Sequence, residues 1–349
     1  MAIREYDIPT STHSSIQKTF TGFFILLFAA VTAHGQTVEL TLHPAKVDET
    51  AQTYRLLVKT DKLIDGDAAP LYEKAIQLIP KGFNQKQIQE WFNLPIEQLP
   101  QQQAEEVIQK HLESLRLVAR AVRCRECHWS AWESGTEPPN LSGYRELAFV
   151  IRSWARLEIS RGQYKNAVIA FQTAFGMAKH HGQGPTILQT MVGGSIGGMM
   201  CRELEQFVQG KDAPNLHAAL ADMPEPLVNV ERAIENERAH LKDQNALVRK
   251  QHEENLKPAY DRVRVNNTRL DNHVNALQIV EAIRHYAATH DGQLPKTLSD
   301  IKDLDVPNDL VSGQAFEYRR TASGATLKSA IPEGLKERHA VHYEIVLKK

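Results

Sequence analysis

The stretch Ala155-Arg-Leu157-Glu-Ile-Ser-Arg-Gly162-Gln-Tyr164-Lys-Asn-Ala167-Val-Ile-Ala-Phe171-Gln-Thr-Ala174 constrains the fold more than any other part of the chain. Small residues recur where two antiparallel helices would cross (Ala155, Ala167, Ala174), and a glycine stands where they would turn (Gly162). Two rings, Tyr164 and Phe171, are spaced to fill the gap between neighbouring helices. The spacing predicts a helical hairpin with further helices stacked beside it, because one hairpin cannot bury its own apolar face. Such an architecture has no built-in chemistry, so function must be read elsewhere.

With 349 residues the chain has room for two domains, and 42% hydrophobic with 24% charged residues is an ordinary globular composition. Its 41 basic and 42 acidic residues nearly cancel, giving a formal charge of -1. Nor does any basic stripe interleave with aromatics, so no nucleic-acid partner is expected. At the amino end, Lys18 precedes the apolar run Phe20–Ala33, after which His34-Gly35 leads to Gln36. A run of about a dozen apolar residues, ending in small ones, reads as a secretory signal peptide at 1–35 rather than a span of about 20. An uncleaved anchor helix is the competing reading. No cysteine closely follows the run, which argues against a lipoprotein anchor, and no later segment approaches about 18 uninterrupted apolar residues. The expected mature chain starts near Gln36, is exported to a periplasmic or extracellular space, and has no membrane span.

The pattern then predicts a weak strand at Thr37–Leu42 and helices over Ala68–Pro80, Gln85–Trp91 and Pro100–Arg123, the last a single long one. Ser130–Asn140, with Gly135, Pro138 and Pro139, reads as a loop. The hairpin follows as Leu141–Ile159 and Gln163–His180, then a helix opened by Gly184-Pro185 and running over Thr186–Val208. Gly193, Gly194, Gly197 and Gly198 lie in it. They lack the spacing of a phosphate-cradling loop and read instead as a surface flattened for close helix approach. Leu227–Asn266 is charged and reads as a solvated helix. From Leu270 an apolar stripe (Val274, Leu277, Val280, Ile283, Tyr286, Ala287) runs to a stop at Asp291-Gly292, and Phe316–Tyr318, Ala325–Leu327 and Val341–Leu347 alternate as strands. The expected organisation is a signal peptide (1–35), a helical repeat-like domain (36–224), a charged connecting helix (225–266) and a small α+β domain (267–349). The fold class is mainly α.

Three resemblances sharpen this. The hairpin at 155–174 resembles a tetratricopeptide unit, and Ala68–Pro80 separately resembles the second helix of such a unit followed by its terminal proline. The tail, with Ala282-Ile-Arg-His-Tyr286, His290-Asp291-Gly292-Gln-Leu294-Pro295, Val306-Pro307 and Ser312-Gly313-Gln314-Ala-Phe316-Glu-Tyr318, resembles the globular part of type II secretion pseudopilins. It departs from them at the amino end, where Gly22-Phe23 is followed by Phe24-Ile-Leu-Leu27 without an acidic residue, so assembly into a pilus is not implied. The order Ala69-Pro70-Leu71-Tyr72, then Cys127 and Trp129, then Gly162-x-Tyr164-x-x-Ala167, then Gly184-Pro185 and the tail is similar to a set of uncharacterised exported bacterial proteins. That likeness implies fold and compartment and carries no catalytic residues.

One segment carries sharp chemistry. Cys124-Arg125-Glu126-Cys127-His128 has the spacing of covalent c-type haem attachment, in which two thiols add to the vinyl groups and the histidine ligates iron. The distal ligand would come from Met177, His180, His181, Met191, Met199 or Met200. Against haem stands a plain CxxC pair, reduced or disulfide-bonded, with Trp129 and Trp132 plugging a helix end, or a redox or metal role. His180-His181, and His285 with His290 and Glu281, invite a zinc reading, but no His-Glu-x-x-His occurs. Cys201 reads as a buried small hydrophobe. Glu133, Glu137 and Asp222 have no placed partner. The expectation is a non-enzymatic interaction scaffold of the cell envelope, without cofactor and with a protein partner. The alternative is a monohaem electron-transfer protein using Cys124, Cys127 and His128.

Overall fold

The structure, a computed structural model, describes residues 37–129, 141–240 and 245–348. The signal segment with its run Phe20–Ala33, the loop at 130–140 with Trp132, Glu133 and Glu137, and residues 241–244 lie outside the described residues. The compact unit runs from Gly35 to Lys349 and is not divided at 224 or 266.

In chain order the elements are β1 (Val38–Leu42), β2 (Ile64–Asp67), α1 (Ala69–Gln77), α2 (Gln85–Trp91), α3 (Gln101–Lys110), α4 (Leu112–Ala121) and β3 (Cys124–Glu126). Then come α5 (Leu141–Ser160), α6 (Tyr164–Gly182), α7 (Ile187–Phe207), α8 (His217–Ala221), α9 (Val230–His240), α10 (Ala246–Thr289), β4 (Glu317–Arg320), β5 (Ala325–Lys328) and β6 (His342–Leu347). The described chain is mainly helical, with a small sheet near its end. Among the described residues no helix is both long and apolar enough to cross a membrane.

The α5–α6 hairpin forms where its spacing places it. Gly162 turns the chain at φ 65°, a conformation glycine adopts without strain. Ala155, Ala167, Phe171 and Ala174 are fully buried. Tyr164 and Phe171 meet Phe207 of α7 edge-on at 5.2 and 5.8 Å, so the third helix supplies the ring between them. The glycines of α7 are a crossing surface. A Cβ at Gly193 would lie 2.6 Å from the Ala178 carbonyl oxygen and 2.7 Å from the Gly182 nitrogen, so α6 and α7 touch backbone to backbone. Thr186, whose hydroxyl accepts from the Gln189 N–H at 3.2 Å, caps α7, which therefore opens at Ile187 rather than at Gly184-Pro185.

Three expectations change. The helix read over Pro100–Arg123 is two helices, α3 and α4, broken at His111 (φ -99°, ψ 7°). The buried His111 ring reaches the Val107 carbonyl one turn back at 2.8 Å and Glu146 of α5 at 3.1 Å, the latter a long-range contact that periodicity does not report. The charged connecting helix is not a separate element either. After α9, the 44-residue α10 runs straight through the 266/267 boundary, roughly 66 Å at 1.5 Å per residue. Finally, β1, assigned by sequence to the helical domain, pairs in parallel with β6 (Leu40 beside Ile345) and completes the sheet β1-β6-β5-β4, whose other pairings are antiparallel.

α10 explains why one unit results. From Leu270 to His285 every residue is buried. One face (Ala276, Ile279, Val280, Ile283) joins Leu40, Leu42, Leu327, Tyr343 and Ile345 in the sheet core. A polar stripe at Asp271, Asn275, Gln278, Glu281 and His285, spaced four, three, three and four residues apart, holds the surrounding loops. Asn275 reaches the Asn308 carbonyl and Glu225, Glu281 accepts from the Leu216 N–H at 3.0 Å, and His285 accepts from the Val47 N–H at 2.9 Å. Arg284, fully buried, pairs with Glu281 at 2.8 Å and donates to the His43 and Ala213 carbonyls at 3.0 and 2.7 Å. Hydrogen bonds from a buried helix to loop backbones satisfy groups that would otherwise be stranded.

Candidate functional site

Cys124 does not end a helix, as the sequence placed it. The chain leaves α4 by a short turn and enters β3, which lies parallel to a bulged β2. Asp67 locks the junction: its Oδ1 accepts from the N–H groups of Ala69, at the start of α1, and His128, at 3.0 and 2.8 Å. Burial works to raise the Asp67 carboxyl, but those two N–H groups and the neighbouring imidazole hold it below the usual carboxylate range.

Behind β3 a cluster of rings closes over the carboxyl end of α6. Trp129 donates from Nε1 to the His180 carbonyl at 2.8 Å, satisfying one of the carbonyls that a helix end leaves open. It thus plugs a helix end, that of α6. Trp129 stacks on Tyr72 of α1 with centroids 5.6 Å apart and meets Tyr144 of α5 edge-on at 5.7 Å. Tyr72 Oη lies 2.9 Å from His180 Nδ1. His181 stands at the centre, 4.3 Å from the Tyr144 ring and 4.5 Å from Trp129, fully buried, and neither of its ring nitrogens has a hydrogen-bond partner among the described residues. Burial, with His180 adjacent, depresses its imidazole to about 3, and burial depresses His180 to about 4, so both rings are neutral.

The thiols are neutral too. Cys124 is buried, with Sγ donating to the Arg120 carbonyl at 3.7 Å, and burial raises it. Cys127 is half-buried, and burial, with Asp67 and Cys124 nearby, pushes it further up. Both are free. The extended backbone at 124–126 works against closing the pair as a disulfide.

The same geometry bears on haem. Its attachment needs both thiols and the imidazole presented to one macrocycle. Cys124 faces inward under Gly66 and the Arg120 carbonyl, whereas His128 is exposed, 3.6 Å from Asp67 and 3.7 Å from Glu126. The residues as folded do not fit the group. Of the proposed distal ligands, Met177, Met191, Met199 and Met200 are core residues of α6 and α7.

The zinc candidates are dispersed into separate contacts. His285 is engaged through both nitrogens, with Val47 and, at 2.8 Å, Asp303. His290 stacks on Tyr286 at 3.8 Å, and Glu281 serves Arg284 and Leu216. Among the described residues no group of three or more His, Cys, Asp or Glu side chains is placed to hold a metal ion. Cys201 is fully buried, as expected of a small core residue.

Sequence reasoning named Cys124, Cys127, His128, His180 and His181 but missed Asp67, Tyr72 and Tyr144. Asp67 had a local signal, a carboxylate just before a helix carrying proline in its first turn. The tyrosines had none, because their partners lie far along the chain. The arrangement orders helix ends around a short strand pair, with the Asp67 carboxylate charged at the junction and the enclosed imidazoles and thiols neutral.

No known protein family, curated protein or solved structure matches the chain.

Proposed function

We propose that the protein is an exported scaffold of the cell envelope whose helical body and sheet hold up a charged helical arm, the first half of α10, as a surface for a protein partner. The observation that carries this reading is the change along α10. Gln251, Glu253, Glu254, Asn255, Lys257 and Pro258 are exposed, whereas Leu270–His285 is buried throughout. A helix anchored so completely at one end and solvated at the other acts as a lever extending from the core. Its charges are mixed in sign, which suits a polar protein surface better than a nucleic acid or a bilayer.

Other features support parts of the reading. The α5–α6 hairpin with its Gly162 turn and the ring interlock through Phe207 is consistent with a tetratricopeptide-like unit, and α10 against β4–β5–β6 with a pseudopilin-like tail. Export is supported by the apolar run Phe20–Ala33 and the small residues that follow it. Buried Glu203 sits in a structural pair, 2.8 Å from Arg152 and 3.0 Å from Arg156, which also donates to the Leu94 carbonyl.

Two measurements test this. Amino-terminal sequencing of protein from the envelope fraction should give a start near residue 36, and an intact amino end in the cytosol would refute export. A photocrosslinker at Glu254, on the arm, should capture a discrete protein partner in cells, while one at Glu106, exposed on α3, should not; equal yields at both sites would refute the arm as the working surface.

A further inference from the structure

Between α8 and α9 the chain crosses the body as a strap, residues 225–229, and its seat has an unusual composition. Leu227 and Val228 are buried, although they belong to a loop. Two glycines make room for them: a Cβ at Gly182 would lie 2.8 Å from the Val228 side chain, and one at Gly197 would lie 3.2 Å from Leu227. Three hydrogen bonds fasten the backbone, from Asn229 N–H to the Gly182 carbonyl at 2.9 Å, from Asn267 Nδ2 to the Val228 carbonyl at 2.6 Å, and from Leu227 N–H to Asp271 Oδ1 at 3.1 Å. The last acceptor is a buried carboxyl with no cation against it among the described residues. Glu225 from the strap and the Cys201 thiol from α7 are the titratable groups that reach it; Arg202, the nearest cation on α7, is engaged by Glu205 at 3.1 Å. On α10 itself its neighbours along the stripe are the neutral Asn267 and Asn275, and Asn275 in turn holds Glu225 at 3.3 Å.

We infer that residues 225–229 form a pH-sensitive latch, which holds the start of α9 on the body while Asp271 is protonated and slackens as Asp271 ionises. A neutral carboxyl accepts the Leu227 N–H and tolerates Glu225 beside it. An ionised one is left buried, uncompensated and facing a second negative charge. Burial, aided by Glu225, raises Asp271 to about 7 in the closed latch, whereas a hydrated aspartate in the open strap titrates near about 3.9. The folded value being the higher one, the latch is tightest below about pH 4 and weakens as pH rises through 7. This holds whether or not the arm is a docking surface.

The test is amide hydrogen exchange of the segment 223–236 in the full chain, wild type against Asp271→Asn, which keeps the acceptor and removes the charge. Taking the ratio at each pH cancels intrinsic exchange chemistry. Opening of the wild type relative to the variant should grow roughly fifty-fold from pH 5 to 7 and level off above about pH 8. Glu225→Gln, at an exposed position, should reduce that growth in an otherwise unchanged fold. A ratio independent of pH, or an Asp271→Asn variant whose strap opens more than wild type at every pH, would overturn the latch.

Discussion

Arg284 and Arg264 show how differently one residue type is used within a single helix. Arg284 and Glu281 are both without exposure, so Arg284→Ala strands a buried carboxylate and two loop carbonyls and should cost about 3–5 kcal/mol in denaturant unfolding. Arg264 faces Glu231 at 2.6 Å in solvent, and Arg264→Ala should cost less than about 1 kcal/mol. A second residue-scale prediction concerns acid. His181 titrates at about 3 in the fold against about 6.5 unfolded, so the folded state sheds a proton that the unfolded chain keeps, and stability falls as pH drops below about 6.5. His180, depressed to about 4, acts in the same direction. The slope of unfolding free energy between pH 6 and 4 should therefore ease by about 1.4 kcal/mol per pH unit in His181→Leu, and an unchanged slope would refute the buried neutral ring. The small and glycine positions of the hairpin were legible in the sequence because they answer to local steric demands at helical spacing. His181 was visible only as a ligand type, since its isolation is made by Tyr144 and Trp129, whose arrival depends on the whole fold.

At the level of elements, α7 offers a paired test of the same substitution with opposite signs. Gly193→Ala drives a Cβ into α6 backbone and should destabilise by about 1–3 kcal/mol, whereas Gly198→Ala meets open space and should stabilise by up to about 1 kcal/mol through helix propensity. Thermal unfolding of the two variants reads both. Pro258 sits inside α10 in its exposed half, where it leaves the Glu254 carbonyl without an N–H partner. Pro258→Ala should raise helical circular dichroism and slow amide exchange over 246–257. Most helices were readable because their apolar spacing is periodic. The breaks were not: His111 interrupts the α3–α4 run through contacts with Glu146, and β2 and β3 carry too few alternating residues to register as strands. The CxxCH consequently reads as haem chemistry in sequence and as one edge of a two-stranded ladder in the fold.

For the molecule as a whole, α10 runs across residue 266, and β1, near the amino end, joins the sheet formed by β4, β5 and β6. A fragment of residues 267–349 lacks β1, and its helix loses the α7 and α8 faces along with loop partners of its polar stripe. It should show no dispersed amide spectrum, and a folded fragment would contradict the single unit described here. The existence of strands β4, β5 and β6 was legible because each alternates; the parallel addition of β1 was not, since nothing local tells a strand which end of a chain it will join. The central claim, a helix that is core over one half and an exposed arm, tied to α9 by the Arg238–Glu253 pair, over the other, is tested most directly by amide exchange along α10 in the full chain. Residues 270–285 should exchange only through global unfolding, and residues 250–258 within minutes. Uniform protection along the helix, or early exchange at 270–285, would contradict it.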